Sequence, residues 1–260
     1  MSSPAKLSAV IIAYNEANFI AECITSLKDV ADEVLVVDSF STDETVSIAE
    51  KLGARVLQHK FEGHIEQKNW AKDQATHKFV LSLDADERLS ETLRDSIVIE
   101  KKLGFHHSGY YMNRLNFIGK KPIKGCGWYP DKKLRLWNKN LGKWSGINPH
   151  DKFRLRSGYP RMKLEGDLLH YSYENRKELF KKSIGYGKIG AKYTRTLPYY
   201  TLIGKLLFSP LFKFFRNYFF KGGIAYGING LSICACQIIE SYLKYIYGFG
   251  LKIQMQLLGK

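Results

Sequence analysis

Cysteine is scarce in this chain, and its spacing excludes a framework of cross-links or metal ligands. Cys23 and Cys126 are isolated, and Cys234 and Cys236 form a Cys-x-Cys pair in an apolar stretch. A zinc site needs a second pair or nearby histidines, and neither is there. All four are therefore expected as reduced thiols, as in a cytosolic protein. Residues 1–6 are polar and lack the charged, apolar and small-residue layout of a secretory leader, so the chain is expected to stay on the cytosolic side. Repeats and low-complexity tracts are missing too. Acidic residues nearly vanish after residue 175: residues 176–260 hold fourteen Lys/Arg against two Asp/Glu.

What is present divides into an ordinary part and a basic one. The whole chain of 260 residues carries a formal charge of +15, and residues 1–175 contribute only +3 of it. A length of this order holds one large α/β domain and a smaller appendage. The division expected is a domain over residues 1–175 and a basic amphipathic helical tail over residues 176–260. One-sided positive charge points to an anionic partner, either a membrane surface or nucleic acid.

Residues 7–13 (LSAVIIA), 33–37 (EVLVV), 55–57 and 78–83 (KFVLSL) are apolar runs of strand length. Between them, residues 17–27, a stretch that Ser41 precedes and that runs through residue 52, and residues 65–75 read as helix. Asp43 and Glu44 are placed in the first turn of the second helix, and Gly53 is its stop. Strands alternating with helices imply a parallel sheet flanked by helices. Ligands bind beyond the carboxyl ends of such strands, where Asn15, Asp38 and Asp84 fall. Residues 105–170 are richer in Gly, Trp, Tyr and Lys, with strand-like pieces at residues 109–114 and 133–137. Residues 197–220 are dense in Phe, Leu and Tyr but punctuated by Lys205, Lys213 and Arg216. Residues 222–239 are uncharged yet contain four glycines, Asn229, Ser232 and Gln237. A spanning helix needs ~20 predominantly apolar residues. Basic, aromatic, amphipathic segments more often lie in the membrane interface.

Two motifs carry chemistry. Asp84-Ala85-Asp86 follows a buried strand, where paired carboxylates can hold a hard divalent cation, Mg²⁺ or Mn²⁺, against a diphosphate. Asp-x-Asp also occurs in plain solvated turns, and the strand-end position favours the metal. Asp38-Ser39-Phe40-Ser41-Thr42-Asp43-Glu44-Thr45 follows the second strand. Asp38 there can accept hydrogen bonds from a ribose or base, while Ser41 and Asp43 can cap the next helix. Arg135 and Trp128 are candidates for lining a sugar pocket and equally ordinary as core residues.

In order and spacing, Ala13-Tyr14-Asn15-Glu16, the segment from Asp38 to Thr45 and Asp84-Ala85-Asp86 resemble glycosyltransferase family 2. Further matches are similar to its lipopolysaccharide-core β-glucosyltransferase-like subgroup. These are Gln67-Lys68-Asn69, Glu87, Gly127-Trp128-Tyr129-Pro130-Asp131, Arg135-Leu136, His150-Asp151 and Gly166-Asp167-Leu168-Leu169-His170. The resemblance covers residues 7–175. It implies a GT-A (Rossmann-like) α/β fold, a mostly parallel sheet flanked by helices, followed here by a basic, aromatic, helical, membrane-associating region. It also implies an inverting, metal-dependent transfer of glucose or a similar hexose from a nucleotide sugar, a UDP-sugar foremost, to a hydroxyl of a lipopolysaccharide-core or other envelope glycan.

By the same resemblance Ala13, Tyr14, Asn15, Glu16, Asp38, Lys68, Asp84, Ala85 and Arg135 bind the donor, with Lys68 near the pyrophosphate. Asp86, Asp84 and His170 are the metal candidates. A lone histidine is otherwise more often a core residue. Asp151 is the candidate general base. The subgroup shows His-Glu where this chain has His150-Asp151, and the shorter side chain must still come within reach of the acceptor proton. Transfer to a polyprenyl phosphate or another envelope glycan is the alternative. A nucleic-acid binder is disfavoured, since the basic excess coincides with apolar segments and no nucleic-acid motif is present. The expected partners are the donor, a lipid-linked glycan acceptor and an anionic membrane surface, with no nucleic acid. The expected location is peripheral, on the inner face of the cytoplasmic membrane.

Overall fold

The computed structural model describes residues 5–148 and 150–258. The chain forms two compact units. One comprises the chain up to Leu115 with Asp131–His170, the other Asn116–Pro130 with the chain from Tyr171 onward.

The first unit opens with β1 (Leu7–Ala13), α1 (Ile20–Ser26), β2 (Glu33–Asp38), α2 (Thr45–Lys51), β3 (Arg55–Gln58), α3 (His64–Gln74) and β4 (Phe79–Asp84). Then follow β5 (Glu87–Leu89), α4 (Glu91–Lys102) and β6 (Gly109–Ile118), whose end from Asn116 belongs to the second unit and pairs there with β7 (Lys121–Ile123). The first unit is completed by β8 (Asp131–Asn138), β9 (Gly142–Ile147), β10 (His150–Leu155) and β11 (Arg161–Tyr173), which runs on into the second.

The main sheet has the order β3-β2-β1-β4-β8-β6-β11-β5. Its first four strands are parallel. β8 pairs antiparallel with β4 and β6, and β5 with β11. β9 and β10 form a separate hairpin.

The apolar runs become central strands because both faces of the sheet are covered. Along β1, Leu7, Ala9, Ile11 and Ala13 enter one core with Ile20, Cys23, Ile24, Leu81, Leu93 and Ile97. Val10 enters the other, with Leu35, Val37, Trp137, Trp144 and Phe153. This is the period-2 alternation of a pleated strand, with apolar residues on both sides.

Two helices start later than their periodicity predicts. α1 begins at Ile20 rather than residue 17, because Phe19 and Ile20 donate to the Glu16 carbonyl in a turn. α2 begins at Thr45 rather than directly after Ser41, because Ser41 and Asp43 bond the loop at Asn15 and Ala17 while the second Asp43 oxygen accepts from the Thr45 amide. Gly53 ends α2 in the left-handed region, φ +81°, as its residue type suggests. Gly166 on β11 is required by space as well as by φ +86°: a Cβ there would lie 2.4 Å from the Leu93 amide nitrogen.

Glu33, at the start of β2, carries a testable electrostatic load. Burial opposes its ionisation, but hydrogen bonds from Ser8, Arg55 and Thr76 outweigh that and hold its pKa at about 2. A folded-state pKa below the unfolded one contributes stability at neutral pH that is lost as pH falls. The expected melting temperature is flat above pH 5 and declines between pH 4.5 and 2. Glu33→Gln should flatten that acid limb in a thermal-unfolding pH series.

The second unit is helical: α5 (Arg176–Ala191), α6 (Tyr199–Phe215), a π-helical turn at Arg216–Phe220, and α7 (Gly227–Leu257). Asn175 caps α5 by accepting from the Lys177 and Glu178 amides. α7 packs along α5 and α6. Its core joins Ile118, Ile123 and Leu179 to Cys126, Ile233, Cys234 and Cys236. All four cysteines of the chain are free and buried. Gln237 is satisfied internally, accepting from Asn217 at 2.6 Å and donating to the Cys126 carbonyl at 3.1 Å. Trp128 belongs to this unit, where it stacks on Tyr173 with ring centroids 5.6 Å apart.

Candidate active site

The parallel strands deliver their carboxyl ends side by side. In register, Ala13 pairs with Asp38 and Ile12 with Asp84, so the ends of β2 and β4 flank the end of β1. Asn15 turns the chain just beyond β1 in the left-handed region, φ 54°. Its Oδ1 accepts from the Thr42 amide at 2.8 Å, and its own amide donates to Ser41 Oγ at 2.9 Å. The Glu16 amide donates a further hydrogen bond to Thr45 Oγ1. Asn15 and the Asp38–Thr45 segment, separate motifs in sequence, are thus one stitched loop pair. Asp38 is fully buried and accepts from both the amide and the hydroxyl of Ser41. Each carboxylate oxygen has further lone-pair capacity for a ligand. Tyr14 is exposed and Ala85 is buried.

Beneath this edge lies a network of buried charges. Glu87 is fully buried, accepts from the Asp84 amide at 3.0 Å, and pairs with Arg135 at 2.7 Å and Arg114 at 3.5 Å. Arg135 also reaches Asp84 Oδ2 at 2.9 Å. Lys68, from α3, lies 3.0 Å from Asp84 Oδ1 and 3.0 Å from Asp151 Oδ2. It also sits 4.7 Å over the Trp144 ring. Burial disfavours the Asp84 carboxylate, but Lys68 and Arg135 override it and hold its pKa well below the usual range. Burial likewise opposes the Arg135 cation, and Glu87 with Asp84 pushes its pKa up. Asn69 fixes α3 to β9 through reciprocal bonds with the Trp144 backbone, both at 2.9 Å, which sets where Lys68 points.

Asp151 sits on β10 opposite Gly146, in a paired strand rather than a surface turn. Pro149 and the side chain of His150 lie outside the described residues.

Asp86 and His170 form a second pair. Antiparallel pairing of β5 with β11 sets His170 opposite Glu87, and His170 Nε2 lies 3.3 Å from Asp86 Oδ2. Two ligands on neighbouring vertices of an octahedral ion with bonds of ~2.1 Å are ~3 Å apart, so this separation fits a shared divalent cation. Among the described residues no cluster of three or more His, Cys, Asp or Glu suits a metal. Two protein donors with the rest left to phosphate and water is the arrangement Mg²⁺ favours. Asp84 is engaged on both oxygens, Oδ1 by Lys68 and Oδ2 by Arg135.

Sequence reasoning missed the central role of Glu87 and of Arg114. Glu87 was visible only as the residue after Asp86, and nothing local marks it as the acceptor of two distant arginines. Removing it leaves Arg135 buried with half its counter-charge, an error that costs ~3–5 kcal/mol. Glu87→Ala is expected to lower unfolding stability by about that amount, read as a lower urea midpoint.

The chain belongs to glycosyl transferase family 2, whose profile matches residues 8–165. It is a glycosyltransferase. An uncharacterised glycosyltransferase of Rickettsia conorii is 31% identical over 86% of this chain and 83% of its own. The lipopolysaccharide core biosynthesis glycosyltransferase LpsC of Rhizobium meliloti is 26% identical over 94% of this chain and 89% of its own. Among solved structures, Staphylococcus aureus TarS aligns over 98% of this chain and 92% of that one, with TM-score 0.45 and 16% identity. Glucosyl-3-phosphoglycerate synthase of Mycobacterium tuberculosis, solved with Mn²⁺, UDP and glucosyl-3-phosphoglycerate, covers 53% of this chain and 58% of that one. Its TM-score is 0.40 and its identity 21%.

Proposed function

We propose that this enzyme transfers a hexose, glucose or a close relative, from a UDP-sugar to a hydroxyl of a lipopolysaccharide-core or related envelope glycan, with inversion and with a divalent cation. One observation carries this reading. The Lys68 ammonium, paired with both Asp84 and Asp151, joins Arg135 in a strand-end network, and the Asp86–His170 pair follows Asp84 in the same motif. A nucleoside diphosphate needs such cationic and metal contacts, and an acceptor hydroxyl needs a carboxylate base.

Asp86 and His170 would hold Mg²⁺ or Mn²⁺, which supplies neutralisation of the diphosphate charge as the sugar leaves. Asn15 and Asp38 would take the nucleoside, and Lys68 the pyrophosphate side. Asp151 would remove the acceptor proton as that oxygen attacks the anomeric carbon in a single displacement. Positioning and preorganised charge would supply most of the rate. The core-glycan acceptor is favoured by the extended similarity to LpsC, and the enzyme would work peripherally on the inner face of the cytoplasmic membrane, where lipid-linked acceptors sit.

A thermal-shift panel of nucleotide sugars, with and without Mg²⁺ or Mn²⁺, tests the donor half. A ligand at 100 times its Kd stabilises by ~2.7 kcal/mol, a shift of several degrees. One UDP-sugar is expected to give that shift only with metal, and no metal-dependent response to any nucleotide sugar would overturn the reading. Profiling radiolabelled transfer onto truncated core glycans and onto polyprenyl phosphate tests the acceptor half.

A further inference from the structure

The outward face of α6 and the π-helical turn after it is apolar and unpartnered. Tyr200, Phe208, Phe212, Phe215, Phe219 and Phe220 recur at helical spacing. Phe208 is 72% exposed, Phe212 66% and Phe220 84%. The opposite face is used, with Leu202 and Pro210 buried. Soluble monomers rarely expose so contiguous an aromatic patch unless something covers it.

Charge decides what covers it. Residues 179–239 contain nine Lys/Arg and no Asp or Glu. Lys205, Arg216 and Lys221 are exposed beside the aromatic stripe, with half-buried Lys213, and the Arg216 guanidinium sits 6.0 Å over the Phe212 ring. A second copy of this chain would press like charges together. A bilayer containing anionic lipid instead offers hydrocarbon to the rings and phosphates to cations that extend toward the headgroups.

Depth follows from charge. The run Tyr199–Phe220 is ~33 Å long, enough to match the ~30 Å hydrocarbon core, but it would carry Lys205, Lys213 and Arg216 into it. No single helix among the described residues is long and apolar enough to cross a membrane, and the run Tyr199–Phe220 meets Gly223–Leu257 at a bend of 72°. We infer that the α6 face from Tyr200 to Phe220 is a docking surface that lies in the plane of an anionic bilayer, rings inserted and cations at the headgroups. This deepens the membrane-borne acceptor proposed above and depends on that reading only for its purpose.

Vesicle flotation of the full chain tests it, with phosphatidylcholine alone and with phosphatidylcholine containing one quarter phosphatidylglycerol. The wild type is expected to float with the anionic vesicles and to be released by high salt. K205Q/K213Q/R216Q should weaken binding by about fivefold per charge, ~1 kcal/mol each. F208S/F212S/F219S should abolish flotation even at low salt. Circular dichroism and nucleoside-diphosphate release from the donor in vesicle-free solution should match wild type in both variants. Wild type that stays at the bottom with both vesicles, or serine variants that float equally well, would overturn the docking surface. So would light scattering that shows a wild-type dimer made monomeric by the serine substitutions. Flotation reads out without turnover. A chain that floats but releases no nucleoside diphosphate refutes the catalytic reading alone, and one that turns over but does not float refutes the docking surface alone.

Discussion

Asp151→Asn is expected to reduce kcat for sugar transfer by ~10²–10⁴-fold, the usual contribution of a positioned general base. Donor affinity should change little. The substitution keeps the shape of the side chain and removes its capacity to take a proton. The side chain is well held for such a role, on a strand paired to Ser145–Ile147 and 3.0 Å from Lys68. Lys68 would retain Asp84, also at 3.0 Å, so its charge is not stranded and the fold should survive. The informative readout is the split between constants. Loss of kcat with an unchanged donor-induced thermal shift places the defect in chemistry. Loss of both would instead assign Asp151 to donor binding through Lys68. A variant within threefold of wild-type kcat would remove Asp151 from the mechanism and leave the base to be sought elsewhere.

How far these features were legible beforehand depends on how local they are. β1 and β4 read correctly because a strand buried on both faces must be apolar throughout, and no helix-length pattern competes over six or seven residues. The starts of α1 and α2 were each placed three residues early. Ser41 looks like a capping residue, yet its side chain serves the loop after β1, twenty-six positions away, and Asp43 does both, one oxygen accepting from the Thr45 amide at the start of α2 and the other from Ala17. The antiparallel half appeared only as fragments. β11 runs for 13 residues, but its Arg161–Lys163 start is exposed and polar, which hides the strand pattern. The ion network was the least visible. Lys68 and Asp151 are 83 positions apart, and Glu87 and Arg135 are 48 apart. Motif order placed these residues near one site, but only strand order pairs them, and a carboxylate such as Glu87 carries no local mark of the two arginines it will meet.

Asp86→Asn should be comparably damaging if the Asp86–His170 pair holds the cation. Lewis-acid stabilisation of a leaving group is worth several kcal/mol, and ~4 kcal/mol corresponds to a ~10³-fold loss in kcat/KM. The neighbouring carboxylate supplies the control. Asp84 shares the motif but is clamped by Lys68 and Arg135, so Asp84→Asn should act on the ion network, lowering the urea midpoint. Asp86 faces a histidine nitrogen, His170 Nε2 at 3.3 Å. His170→Gln should shift the metal dependence, raising the Mn²⁺ concentration for half-maximal activity by at least tenfold, since even outer-shell partners of a metal are worth 10–100-fold in affinity. The decisive comparison is activity against Mn²⁺ concentration in all three variants. A metal curve displaced in D86N and H170Q but unmoved in D84N assigns the ion to the pair. A curve displaced most in D84N would move the cation onto Asp84, and curves that coincide with wild type in all three would remove the metal from this edge of the sheet.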